Sequence, residues 1–233
     1  MRVNQHGSLF ELEEVFRVDF RQVGKGSTES ADTGKIGLRV QRKKKSPKSL
    51  LKQNVIKSRK DDQQLSRLTQ AVALDCEMVG IHDGKENMLA RVSIVNSHGQ
   101  TVYDTFVKPT EPVVDYRTAV SGVRSQDLDK GVEFHIAQKT VATILKGRIL
   151  VGHALRNDLG VLFLSHPRRN TRDTSRYGPF QEMVHSRRPS LKKLASEILG
   201  AQVQQGEHSS VEDARATMHL YNMYKKEWES SLA

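Results

Sequence analysis

Ala71-Val72-Ala73-Leu74-Asp75-Cys76-Glu77 runs an unbroken apolar stretch into two acids. This is the pattern of a buried central strand that ends where ligands bind in open α/β sheets. Side chains alternate across a strand, so Asp75 and Glu77 project from one face only two residues apart. Cys76 points to the opposite face and reads as a small buried residue with no chemistry of its own. Two carboxylates held so close raise each other's pKa unless something positive sits between them. A divalent cation with oxygen ligands, Mg2+ or Mn2+, meets that demand. Asp-x-Glu at a strand end is more often a pair of solvated acids, so its partners decide the matter.

Downstream, segments 89–95 and 101–107 flank Asn96-Ser97-His98-Gly99, which predicts an antiparallel hairpin. Pro109 and Pro112 stop the third strand. Helices are expected near 116–120 and over 134–145, the second closed by Gly147. A fourth strand is expected at 148–151, a helix at 155–164 broken by His166-Pro167, and a short edge strand at 172–174. Ser190 caps a helix that ends at Gly200, and Ser209 or Ser210 caps a last helix reaching about residue 228, with Glu212 in its first turn. The expected fold class is α/β, a mixed sheet of about five strands with helices on both faces. No internal repeat interrupts it.

Two further stretches bring candidates to the mouths of these elements. Asp158 follows the fourth strand in His153-Ala154-Leu155-Arg156-Asn157-Asp158, and Glu207-His208-Ser209-Ser210-Val211-Glu212-Asp213 places a loop histidine before an acid in the last helix. Each alone has an ordinary reading: a helix-favouring acid in a first turn, a surface histidine, a solvated helix acid.

The whole chain of 233 residues carries 37 Lys and Arg against 27 Asp and Glu, with 36% hydrophobic and 6% aromatic residues. That suits one domain plus a segment outside any core. The charge is uneven. Residues 35–60 hold eleven basic side chains and no acid, residues 1–34 are net negative, and residues 61–233 are nearly neutral with 22 basic against 21 acidic. The basic segment reads as a solvated arm, either solubilising or a nuclear-import signal around Arg42-Lys43-Lys44-Lys45 with non-specific phosphate binding. Residues 9–20 suit a short amphipathic helix. No apolar run is long enough for a membrane helix, and the start lacks a secretory pattern. The single cysteine leaves no intrachain disulfide and no multi-cysteine zinc site, so a reducing, intracellular compartment is expected. Between 148 and 193 lie ten Lys or Arg against three acids, including Arg168-Arg169, Arg172, Arg176, Arg187-Arg188 and Lys192-Lys193. Such a stretch could track a single-strand backbone.

Taken in order, Asp-x-Glu, a distant Asp, then His and Asp resemble the DEDDh exonucleases of the ribonuclease H-like superfamily. The similarity is strongest to the branch with the RNA exonuclease 4 family and the interferon-stimulated exonucleases. It is carried by Leu74-Asp75-Cys76-Glu77-Met78-Val79-Gly80, Ala90-Arg91-Val92-Ser93-Ile94-Val95, Asp115-Tyr116-Arg117-Thr118-Ala119-Val120-Ser121-Gly122, the run from Leu145 to His153, and His208-Ser209-Ser210-Val211-Glu212-Asp213-Ala214. It covers about 71–228 and leaves 1–70 as an N-terminal extension and 229–233 as a tail.

The resemblance implies that Asp75, Glu77, Asp158 and Asp213 hold two Mg2+ or Mn2+ ions and that His208 is the general base. Related enzymes that use tyrosine carry it four residues before the last Asp, where this chain has Ser209. The resemblance also offers Met78 and Arg117 as contacts to the 3′-terminal nucleotide. His153 and Asn157 are candidates near the metal site, though packing and capping explain them as well. The implied activity is 3′→5′ hydrolysis of single-stranded RNA to 5′-nucleotides, in the nucleus or nucleolus, on ribosomal RNA precursors. Nothing in the sequence suggests an obligate dimer, so a monomer is expected. Two alternatives stay open: an exonuclease acting mainly on DNA in repair or degradation, with single-stranded DNA as a partner, and a catalytically silent RNA-binding scaffold. Gly160, inside the helix of Asp158, costs about 1 kcal/mol relative to Ala and has no functional account.

Overall fold

β1 (Ala71–Ile81) alternates between two cores, which is why its sequence reads as a continuous apolar run. Ala71 and Ala73 pack on one face with Val95, Val151 and the residues of the last helix. Val72, Leu74 and Cys76 pack on the other with Val92, Ile94 and Val141. The computed structural model describes residues 67–204 and 206–232. The expected helix over 9–20 and the basic segment 35–60 lie outside the described residues.

β2 (Glu86–Asn96) runs antiparallel to β1 and to β3 (Thr101–Phe106). The β2–β3 turn forms as expected: Asn96 Oδ1 accepts from the backbone N–H groups of His98 and Gln100 at 2.9 and 3.0 Å, and Gly99 takes φ 74°. On the other side of β1 lie β5 (Ile149–Gly152) and β6 (Thr171–Asp173), each parallel to its inner neighbour, giving the order β3-β2-β1-β5-β6.

The sheet has a sixth strand that the expected five leave out. β4 (Val113–Asp115) pairs with β1 at Gly80 and Ile81. Three residues are too few to show alternation, so the sequence pattern carried no signal for it.

Before β5 come α1 (Thr118–Ser121), α2 (Ser125–Asp129) and α3 (Phe134–Leu145). After it come α4 (Arg156–Val161), α5 (Gly178–Met183), α6 (Leu191–Leu194), whose chain continues as a π turn over Ala195–Leu199, and α7 (Ser210–Ser230). α3 buries Ala137, Val141, Ile144 and Leu145, one stripe at helical spacing, against the Leu74 face. α7 covers the opposite face with Ala214, Met218 and Tyr221, while Tyr177 stacks on Trp228 at 3.9 Å. Helices therefore lie on both faces.

Local expectations differ in three places. α4 stops at Val161 because the chain turns into left-handed φ (50°) at Phe163. Ser209 stands at the N-cap of α7 without a side-chain cap bond, and the Ser210 hydroxyl is instead hydrogen-bonded to Ser93 Oγ at 2.7 Å. α7 runs through Ser230, which puts Glu229 inside the helix, where both its oxygens accept from Arg172, at 2.8 and 2.6 Å. Ser190 caps α6 by accepting from the Lys193 N–H, and Gly200 closes the turn after it at φ 62°, as read from the sequence.

Candidate active site

β5 pairs with β1 only at Ala71, Ala73 and the residue between them, so beyond Ala73 that edge of β1 opens into a notch. The Cys76 N–H, left without a ladder partner there, donates to Asp158 Oδ1 at 3.0 Å. That bond pulls the first turn of α4 into the notch and seats a buried carboxylate beside Asp75 and Glu77. Asp213 comes from the first turn of α7, on the face from which Asp75 and Glu77 project.

The four acids feel one another. Burial, then the charges of Asp158, Asp213 and Glu77, push the Asp75 carboxyl well above its usual range. Burial and Asp213 raise Glu77 to about 8 although Arg91 and the Ser210 N–H pull it down. Burial lifts Asp158 to about 7 against the bonds it accepts, and burial raises Asp213 against Gln204 and His208. Glu77 is buried, and among the described residues its Oε1 has no hydrogen-bond partner. Among the described residues no three acidic, histidine or cysteine side chains form a ready-made metal cage. Even so, a bare buried carboxylate oxygen among mutually destabilised acids is the donor set that suits hard divalent cations.

His208 stands at the rim. Its N–H donates to the Val120 carbonyl of α1 at 2.6 Å, and its Nδ1 lies 3.8 Å from Asp213 Oδ2, longer than a hydrogen bond. Gln204 Nε2 takes that same oxygen at 2.7 Å. Gln204 went unnoticed in the sequence, where nothing but its place four residues before His208 marks it.

The remaining candidates divide. Met78 packs at the edge of the core below Leu74, beside a bulge where Glu77 faces Arg91 and Met78 faces Leu89. Arg117 takes φ 49°, its N–H bound to Asp115 Oδ1, and its guanidinium donates to Asn87 Oδ1 and the Gly84 carbonyl at 2.6 and 2.8 Å. It thus ties the β1–β2 turn to α1. His153 shares a 2.9 Å hydrogen bond with Thr174 Oγ1, and burial lowers its pKa. Asn157 is exposed on α4. Cys76 lies in the opposite core, its thiol pushed up by burial and then by Asp158.

Known proteins share this arrangement of chain. The exonuclease family RNase_T matches residues 72–221. RNA exonuclease 4 of Homo sapiens is 62% identical over 170 residues, 72% of this chain and 40% of that protein. The Cryptococcus neoformans protein of the same name is 56% identical over 164 residues, 70% of this chain and 40% of its own length. The chain thus spans about two fifths of these relatives. Among solved structures, the Saccharomyces cerevisiae Pan2 pseudoubiquitin hydrolase-RNA exonuclease module in complex with AAGGAA RNA superposes with a TM-score of 0.62 at 31% identity, over 71% of this chain and 30% of that one. The Neurospora crassa Pan2 catalytic unit superposes with 0.61 at 29% identity, over 70% and 28%. The mixed six-stranded sheet is therefore ribonuclease H-like, and the chain belongs to the RNase_T exonuclease family.

Proposed function

We propose that the chain is a metal-dependent 3′→5′ exoribonuclease of the DEDDh type, releasing 5′-nucleotides from single-stranded RNA. The observation that carries this reading is the buried quartet of Asp75, Glu77, Asp158 and Asp213, raised in pKa by burial and by one another, with Glu77 Oε1 unpartnered among the described residues. These carboxylates would hold two Mg2+ or Mn2+ ions. When bound there, divalent cations supply Lewis-acid stabilisation of charge on the attacking and leaving oxygens of the phosphodiester.

The chain's own residues do the rest. Asp158, fixed by the Cys76 N–H, and Asp213, fixed by Gln204, enter the notch already oriented, which limits the ordering cost of binding. His208 takes the proton of the attacking water at Nε2, while its Nδ1 side turns to Asp213, and the Val120 carbonyl holds its main chain in place. The 3.8 Å separation is looser than a hydrogen bond, as catalytic contacts often are before substrate binds. Met78 lies under the terminal base and Arg117 beside the terminal ribose, where its 2′-hydroxyl would mark RNA. His153 and Asn157 flank the path of the strand. Exposed Arg168, Arg169, Arg187 and Arg188 offer the phosphates upstream a basic track.

The names and RNA-bound structures of the relatives support RNA as the substrate. The protein acts as a monomer in the nucleus or nucleolus, on ribosomal RNA precursors, a placement supported by the eleven basic side chains of residues 35–60. A time course on 5′-labelled RNA tests the reading: ladders shorten from the 3′ end with Mg2+, stop in EDTA, and stop when the 3′-hydroxyl is blocked. Equal or faster shortening of a matched DNA would remove the RNA claim, and RNA binding without turnover would make the chain a scaffold.

A further inference from the structure

Arg91 stands directly opposite Glu77 in the β1–β2 ladder, and its charge pulls the Glu77 carboxyl down. A guanidinium facing a buried carboxylate with a bare oxygen has strong electrostatic reason to fork onto it. It does not. Its Nε and Nη2 donate to Oδ1 and Oδ2 of Asp104 on β3 at 2.8 and 2.9 Å, and its Cζ lies 5.1 Å from the centre of the Phe106 ring. Asp104 is fixed in turn, because Ser93 Oγ donates to its Oδ1 at 2.8 Å and Ser93 is bonded to Ser210 in the first turn of α7. Among the described residues, the cation that faces Glu77 across the ladder is thereby neutralised within its own pair.

We propose that Asp104 is a positioning residue that holds Arg91 off Glu77 and so reserves Glu77 for a divalent cation. Without it, the guanidinium would settle on Glu77 Oε1, and an incoming ion would have to displace a bidentate pair from a buried carboxylate. With it, Glu77 Oε1 stays open to an ion. The inference rests on the cation-binding reading above and extends it to a residue that touches neither ion nor RNA.

The competing view is that Arg91 and Asp104 are plain cross-strand glue. Calorimetric titration of Mn2+ into the EDTA-stripped full chain separates the two. Asp104→Asn is expected to weaken Mn2+ binding about tenfold, while its melting temperature in EDTA stays level or rises because Arg91 has found Glu77. Adding Arg91→Met to that variant should return the affinity to near wild type, which glue alone would not do. Wild-type affinity in Asp104→Asn, a lower melting temperature in EDTA, or no recovery in the double variant would each overturn the inference. Absence of Mn2+ uptake by the wild-type chain would instead bring down the nuclease reading on which it rests.

Discussion

Near opposite ends of α7, Asp213 and Glu229 face the protein on contrary terms. Glu229 accepts two hydrogen bonds from buried Arg172 and one from the Tyr221 hydroxyl, and the Arg172 bonds hold its carboxyl below the usual range. Asp213 joins three other acids, and burial pushes it up. One end is a closed ion pair that keeps the last turn of the helix on the sheet. The other is left electrostatically incomplete, a cost that a structural role does not explain and that a bound cation would offset.

The largest test of that contrast is catalytic. Asp75→Asn or Asp213→Asn should lower the exonuclease rate at least about a thousandfold, while each variant stays folded and melts no lower than wild type in EDTA. A variant with wild-type rate would separate the acid quartet from the activity altogether.

Stability should then move in opposite directions at the two sites. Glu229→Gln strips the counter-charge from Arg172, whose side chain is only 4% exposed, and should cost about 3 kcal/mol in a denaturant melt. Glu77→Gln removes a charge the metal-free fold resists, so its melting temperature in EDTA at pH 8 should exceed wild type. If both variants lost stability alike, the two ends would not differ as described.

The smallest effect concerns the helix that carries Asp158. A methyl group on Gly160 would meet nothing within 4 Å, and Gly160 is absent from the positive-φ positions of the chain. Gly160→Ala should therefore add up to about 1 kcal/mol by the same melt and leave the rate unchanged.

The central strand was legible because it is buried on both faces and reads as one apolar run, and the hairpin, α3 and the last helix because of turn residues, caps and periodic apolar faces. β4, α2 and α5 were not, since pieces of three to six residues carry little periodicity. The acids were legible as strand-end and helix-start residues, and family resemblance joined them into one set. What held them in place was not: the Cys76 N–H under Asp158 exists only because β5 stops pairing, and Arg91 and Asp104 meet Glu77 only across a ladder whose register the sequence does not print. Likewise Glu229 looked like tail until the length of α7 brought it to Arg172.

The most direct measurement is the melting temperature against pH, in EDTA and with millimolar Mn2+. Acids whose pKa is raised by folding stabilise the fold below their unfolded values near 4 and lose that contribution as pH climbs through their folded values, about 7 for Asp158 and about 8 for Glu77. The lowered pKa values of His153 and His166 act in the opposite sense below about pH 6.5, so the informative window runs from about 6.5 to 8.5. Across it the account predicts that stability in EDTA falls, and that Mn2+ restores it most at the alkaline end. A flat or rising curve in EDTA, with no effect of Mn2+ at any pH, would contradict the claim that this quartet is built to receive cations.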